Sequence, residues 1–136
     1  MNTHADFDVR IEFDGPLGRV ALTDFRVSKM EPDELRLNPK RGQSIDLIDG
    51  QLVRTRKMKG GAVSREQLTE RWSDWVDYWS VDFNHADIMR SEWQDYRDKR
   101  KRSLMLVTPW HSIGDRIAVQ VVDIFANHFR HVYDVQ

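Results

Sequence analysis

Arg71-Trp-Ser-Asp-Trp-Val-Asp-Tyr-Trp-Ser-Val-Asp-Phe83 holds three of the five tryptophans of a 136-residue chain, interleaved with Asp74, Asp77 and Asp82. Aromatic surface on this scale is either buried as the centre of a core or presented for binding. Two periodicities fit the stretch. Leu68, Trp72, Trp75 and Trp79 follow at helical spacing and would form one stripe of a helix. Trp75, Asp77, Trp79, Val81 and Phe83 also share one face of a strand, with Val76, Tyr78, Ser80 and Asp82 on the other. The β-branched and aromatic content after Trp75 favours a strand there. The stretch therefore divides into a helix from about Arg65 to about Ser73, with Ser64 and Gln67 at capping-box spacing, and a strand from about Val76. Trp72, Trp75, Trp79 and Phe83 are expected in the core, with Val119, Val121 and Phe125 from further along the chain.

Upstream, Phe7-Asp-Val-Arg-Ile-Glu-Phe13 alternates apolar and charged residues without exception, as a strand with one dry face does. Asp14-Gly-Pro-Leu-Gly18 is turn chemistry, and Arg19 to Val27 is β-rich again, which predicts a hairpin. Glu31 to Arg41, with Pro32 and Asn38-Pro39, reads as a connection with room for a turn of helix. Ser44 to Ile48 and Gln51 to Arg56 flank Asp49-Gly50, a type I′ turn signal, so a second hairpin is expected.

Downstream, Ile88, Met89, Trp93 and Tyr96 lie near helical spacing and predict a short, partly exposed helix within residues 84–102. Ser103 to Thr108 reads as a strand, Pro109 to Asp115 as a loop and Phe129 to Val135 as a final strand. Arg116 to Phe125 is apolar on both alternating faces, which predicts a strand central in its sheet. About seven short strands separated by turns, with one or two short helices, make an all-β sandwich the expected class.

A chain of this length is expected to be a single domain, 1–136. Charged residues are abundant but nearly cancel, leaving a net charge of −1, so any attraction for polyanions has to be local. The absence of cysteine removes disulfides, thiolate catalysis and Cys-ligated zinc from consideration. No apolar run has the length of a signal peptide or a membrane span, and the expectation is a cytoplasmic protein with no membrane partner.

Trp72 to Phe83, Glu92-Trp-Gln-Asp-Tyr-Arg97 with Lys99, and Val119-Gln-Val-Val-Asp-Ile-Phe125 together resemble the C-terminal module of large prokaryotic site-specific adenine DNA methyltransferases and related type III-like restriction–modification proteins. The resemblance covers roughly the C-terminal half. The same half resembles a polycystic-kidney-disease-type (PKD-like) immunoglobulin-like domain, in which an aromatic-Asp-Phe strand precedes a His-containing turn, a glycine and a Val-rich strand. Here these are Trp79 to Phe83, Thr108 to His111, Gly114 and Arg116 to Phe125, with Asn84-His-Ala where Gly-Asp-Gly is usual. The resemblances imply an immunoglobulin-like half, 64–136, with added N-terminal hairpins, 7–60. They also imply a non-catalytic accessory module whose partners are proteins or other domains of a DNA-modification protein; contact with DNA itself is expected from local basic residues. An Asp-Pro-Pro-Tyr methyltransferase motif and a cofactor-binding glycine loop do not occur in this sequence. No cofactor, metal or catalytic residue is therefore assigned.

Two basic clusters carry the nucleic-acid expectation. Arg54, Arg56 and Lys57, with Lys59 beyond them, lie at one hairpin end; Arg97, Lys99, Arg100, Lys101 and Arg102 follow Trp93 and Tyr96. Cations beside aromatics supply phosphate contact and base stacking, although a charge run is more often a solvated face. Asp74, Asp77, Asp82 and Asp87 have ligand types suited to magnesium or calcium, but alternation puts Asp77 and Asp82 on opposite faces. Turn capping by Asp77 and Asp82, with Asp74 solvated, is the plainer expectation. His128 and His131 have helical metal-pair spacing in a segment that reads as strand, where the two diverge. The alternatives are a free-standing immunoglobulin-like domain that binds protein or carbohydrate, and a metal-dependent nuclease.

Overall fold

Alternation at the N-terminus produces the longest hairpin of the protein. In a computed structural model, which describes residues 4–30, 43–98 and 103–135, β1 (His4–Asp14) turns at Gly15-Pro16 and pairs antiparallel with β2 (Leu17–Lys29). Then come β3 (Gln43–Ile48), β4 (Gln51–Lys57), β5 (Val63–Gln67), β6 (Val76–Asp82), β7 (Trp93–Tyr96), β8 (His111–Ser112), β9 (Arg116–Asp123) and β10 (His128–Asp134). The protein is mostly β, in three sheets ordered β1-β2-β8, β3-β4-β5 and β10-β9-β6-β7. The connection expected over Glu31 to Arg41 lies outside the described residues.

The first and last of these sheets supply facing side chains to one buried cluster. Phe7, Val20, Leu22 and Phe25 come from one, and Trp79, Val81, Ile117, Val119 and Val121 from the other, with Phe83 just past the end of β6. Phe25 meets Phe129 edge-on at 5.6 Å between centroids, and Phe7 lies 4.6 Å from His131. Ile45 and Leu52 join the cluster from the third sheet. β9 lies between β10 and β6 and is buried on both faces, as its two-faced apolar sequence requires.

Asp49 and Gly50 take φ of 51° and 78°, the two left-handed residues of the turn that Asp-Gly predicts between β3 and β4. Gly50→Ala is expected to cost about 1 kcal/mol in chemical denaturation, because an L side chain resists that conformation.

Several expectations need correction. Residues 63–67 are not the start of a helix: β5 pairs with β4 from Lys57↔Val63 to Val53↔Gln67. Ser64-Arg-Glu-Gln67 offers no apolar stripe for a helix to bury, whereas the free edge of β4 offers backbone partners. Within the stretch expected to be helical, helical geometry appears only in a 3-10 turn at Trp72–Trp75, where the carboxylate of Asp74 accepts the amides of Glu70 and Arg71, each at 2.9 Å. Asp74 is thus a cap rather than a solvated charge. Trp75 is buried, while Trp72 is half-buried at the margin of the core.

Nor do residues 93–96 form a helix. β7 runs along the edge of β6, Tyr78↔Tyr96 to Val81↔Trp93, which brings the Trp93 ring edge-on to Trp79 at 4.9 Å. Ser103 to Thr108 makes a bridge rather than a strand, with Ala21 opposite Val107. The Leu22 amide donates to Leu106 O at 2.8 Å, and the Thr108 amide to Val20 O at 2.9 Å. The following loop contains β8, which extends the β2 edge by two residues.

Candidate nucleic-acid interface

The β3-β4-β5 sheet is rooted at one end. Leu52 donates its amide to Thr69 Oγ1 at 2.9 Å and accepts from the Leu68 amide at 2.8 Å, and Trp75 Nε1–H donates to Gly50 O at 3.2 Å. From Gln51 to Lys57, β4 extends away from these anchors by about 20 Å at ordinary strand rise. All five residues of β5 are exposed. At the far end the Met58 amide donates to Ala62 O at 2.8 Å, and Gly60 and Gly61, both at φ 83°, have open space where a side chain would be.

Charge is graded along this sheet. Asp46 and Asp49 lie toward the rooted end; Arg56, Lys57, Lys59 and Arg65 lie toward the far end. Arg54 and Arg56 share one face and approach Glu66 at 3.6 and 3.5 Å. Lys57 and Arg65 share the opposite face, since Lys57 pairs with Val63 and Thr55 with Arg65. Lys57, Lys59 and Arg65 are exposed and form no ion pair with another described residue. Of the residues expected here, Lys57 is therefore available as a cation, whereas Arg54 and Arg56 already share a carboxylate. Arg65 was missed because its segment reads as helix. Its only sequence signal is position, four residues past Gly61 in a run without an apolar stripe.

The second basic cluster separates. Arg97 Nε–H donates to Val76 O at 2.9 Å and Nη2–H to Ser73 O at 2.6 Å, so the guanidinium clamps β7 to the 3-10 turn. Lys99, Arg100, Lys101 and Arg102 lie outside the described residues.

Of the acidic set, Asp74 and Asp82 are committed to backbone, whereas the turn capping expected of Asp77 is not found: its carboxylate makes no hydrogen bond to another described residue. Asp82, 1% exposed, accepts the amides of Asn84 and Arg90 at 3.2 and 3.0 Å and lies 3.1 Å from His85 Nδ1. Burial pushes its carboxyl pKa up, and the hydrogen bonds from Arg90, His85 and Asn84 outweigh that and hold it below its ordinary value. Asp123, wholly buried, accepts the amides of Phe125 and Asn127 at 2.9 and 2.8 Å and closes the β9–β10 turn. Asp95 accepts the Met105 amide at 2.7 Å. Among the described residues no group of three or more His, Asp or Glu side chains is arranged to hold a metal ion. His131 faces inward beside Asp6, while His128 lies on the opposite face of β10 beside Gln120. His111 stacks on Phe83 with centroids 4.3 Å apart.

At the other end of the molecule the Arg19 guanidinium lies 4.4 Å over the Trp110 ring, beside Leu17 on the same face of β2. Trp110 is 39% and Leu17 40% exposed. Among the described residues no helix is long and apolar enough to cross a membrane. No family model, curated protein or solved structure matches this chain.

Proposed function

We propose that this chain is a non-catalytic, immunoglobulin-like (PKD-like) accessory module of prokaryotic DNA-modification or restriction machinery, and that it contacts DNA phosphates through the far end of its β3-β4-β5 sheet. The placement in that machinery rests on the resemblance of Trp72 to Phe83, Glu92 to Arg97 and Val119 to Phe125. The DNA contact rests on one observation: three exposed cations without ion-pair partners among the described residues, Lys57, Lys59 and Arg65, on a projecting sheet of a protein whose net charge is near zero. A local cationic projection gains affinity for a phosphate backbone by releasing condensed counterions. Lys57 and Arg65 on one face, with Arg56 on the other, suit a ribbon that enters a groove edge-first.

Docking onto a protein or a neighbouring domain falls to the opposite end, where Leu17, Arg19 and Trp110 combine an exposed aromatic with a guanidinium, the residue types that dominate interface energetics. In this reading the module works in the cytoplasm and adds affinity and position rather than a chemical step.

The test is charge reversal of Lys57, Lys59 and Arg65 to Glu, with duplex DNA binding titrated against salt. The expected result is affinity lower by about tenfold or more and a log–log salt slope shallower by about 3. An unchanged slope removes the DNA contact from the proposal. All three side chains lie outside the core, so the thermal transition should stay where it is.

A further inference from the structure

We propose that the outer face of the β10-β9-β6-β7 sheet holds an unstacked, amino-bearing nucleobase of a single strand, with Tyr96 as its stacking platform and Asp77 and Gln94 at its edge. The inference rests on the DNA-contact reading above but concerns a different surface.

Strand register defines the face. Trp79, Val81, Val119 and Val121 point into the core, so Tyr78 and Ser80 of β6, Gln94 and Tyr96 of β7, and Gln120 of β9 point outward. Tyr78 stands directly opposite Tyr96, and Ser80 opposite Gln94. The register shifts between Val76 and Tyr78, which leaves Asp77 as an unpaired residue. A bulge of this kind re-aims a side chain, and Asp77 lines one cleft of about 350 Å³ with Tyr78, Gln94, Tyr96 and Arg97.

The cleft has unused chemistry. Arg97 spends its guanidinium on the carbonyls of Ser73 and Val76. Asp77, Tyr78, Gln94 and Tyr96 make no side-chain hydrogen bond to another described residue. On the inner face, by contrast, the Asp95 carboxylate accepts the Met105 amide. Tyr96, 53% exposed on the outer face, offers a ring to a base. A carboxylate accepts from the exocyclic amino group of cytosine, and a glutamine amide pairs two-fold with the amino edge of adenine, whereas thymine presents no amino group to either.

A sugar ring could also lie on a tyrosine, and charge decides between the two. Arg130 is on the same outer face, in the row Gln94, Ser80, Gln120, Arg130, and forms no ion pair with another described residue. It stands three strand spacings from Gln94, about 14 Å, where a neighbouring phosphate of the same strand can reach it. Outside the site, the sequence carries Lys99 to Arg102 just beyond Tyr96. A neutral glycan would leave these cations without a role.

The experiment measures binding of labelled single-stranded oligodeoxyadenylate, oligodeoxycytidylate and oligothymidylate, and of a neutral oligosaccharide. The proteins are the wild type, Tyr96→Phe, Tyr96→Ala, the double variant Asp77→Asn/Gln94→Ala, and the Lys57/Lys59/Arg65 charge-reversal variant. The expected results are tighter binding of the adenine and cytosine strands than of the thymine strand, about tenfold weaker binding by Tyr96→Ala, and Tyr96→Phe within about twofold of wild type. The double variant is expected to bind all three strands alike. The charge-reversal variant should keep the base preference while losing duplex affinity. Equal binding of all three strands by the wild type, or Tyr96→Ala indistinguishable from it, overturns this inference while leaving the duplex contact standing. Binding of the oligosaccharide alone, lost in Tyr96→Ala, overturns this inference in favour of a glycan and leaves the duplex contact to its own titration.

Discussion

Trp79→Ala is expected to lower the unfolding free energy by about 3 to 5 kcal/mol, read as a fall in the denaturation midpoint at unchanged slope. The Trp79 side chain has no solvent exposure, and its ring receives the edge-on ring of Trp93. Its indole N–H donates to Met105 O at 2.8 Å, which ties the irregular segment before β8 to the centre of the core. Truncation opens a cavity and leaves that carbonyl without its donor. Since domains of this kind are stable by about 5 to 15 kcal/mol, the loss could unfold a large fraction of the protein at 37 °C. Trp79→Phe keeps a six-membered ring in the core while removing the donor and part of the indole volume, and is expected to cost less, about 1 to 3 kcal/mol. Trp72→Ala, at the half-buried margin, is expected to cost less than Trp79→Ala. If the Trp79→Ala midpoint matched wild type, Arg71 to Phe83 would have to be a surface stretch rather than the core.

Asp82→Ala is expected to cost about 3 kcal/mol near neutral pH, because it strands buried amides that a carboxylate now satisfies. The Asn84 and Arg90 amides and the His85 ring lose their common acceptor, and the loop from Asn84 to Glu92 loses its anchor. The same residue links stability to pH. Its folded pKa lies below the ordinary value of 3.8, so the folded state binds protons less readily than the unfolded state. Its contribution is therefore complete above the unfolded pKa and lost as pH falls through the lower folded value. The stability gap between wild type and Asp82→Ala should be constant from about pH 7 to pH 5 and narrow below about pH 4. A gap that stayed constant into strong acid would show that the carboxylate's charge contributes nothing. Asp6 is also held low, by His131, and Asp74, against its burial, by backbone amides that outweigh it, and subtracting the variant from wild type cancels these two contributions.

Several elements were legible because their causes are local. Asp49-Gly50 requires two left-handed residues wherever it occurs, and the structure has them. The apolar-charged alternation of Phe7 to Phe13 specifies a strand with one dry face, and the two-faced apolar run of Arg116 to Phe125 a central one. The strand beginning at Val76 and the burial of Trp75, Trp79, Phe83, Val119, Val121 and Phe125 followed from the same kind of pattern. β5 and β7 were not legible. Ser64-Arg-Glu-Gln67 and Trp93-Gln-Asp-Tyr96 lack a decisive period, and each is a strand because a neighbour, β4 or β6, has an edge to fill.

The candidate site divides along the same line. Sequence alone determined that Arg54, Arg56 and Lys57 lie together near a hairpin end, since strand neighbours stay neighbours. It also determined that Trp79, Val81 and Phe83 share a face. Only the tertiary structure decided which cations are available: Glu66 of β5 reaches Arg54 and Arg56 of β4, Arg97 turns onto the carbonyls of Ser73 and Val76, and Arg65 joins Lys57 on one face. The same pairing of β7 with β6 set Tyr96 beside Tyr78 above Asp77 and Gln94. The physical reason is range. Turn geometry and side-chain alternation act over a few bonds, whereas an ion pair, a carbonyl clamp or a cleft needs residues brought together by backbone pairing between distant segments.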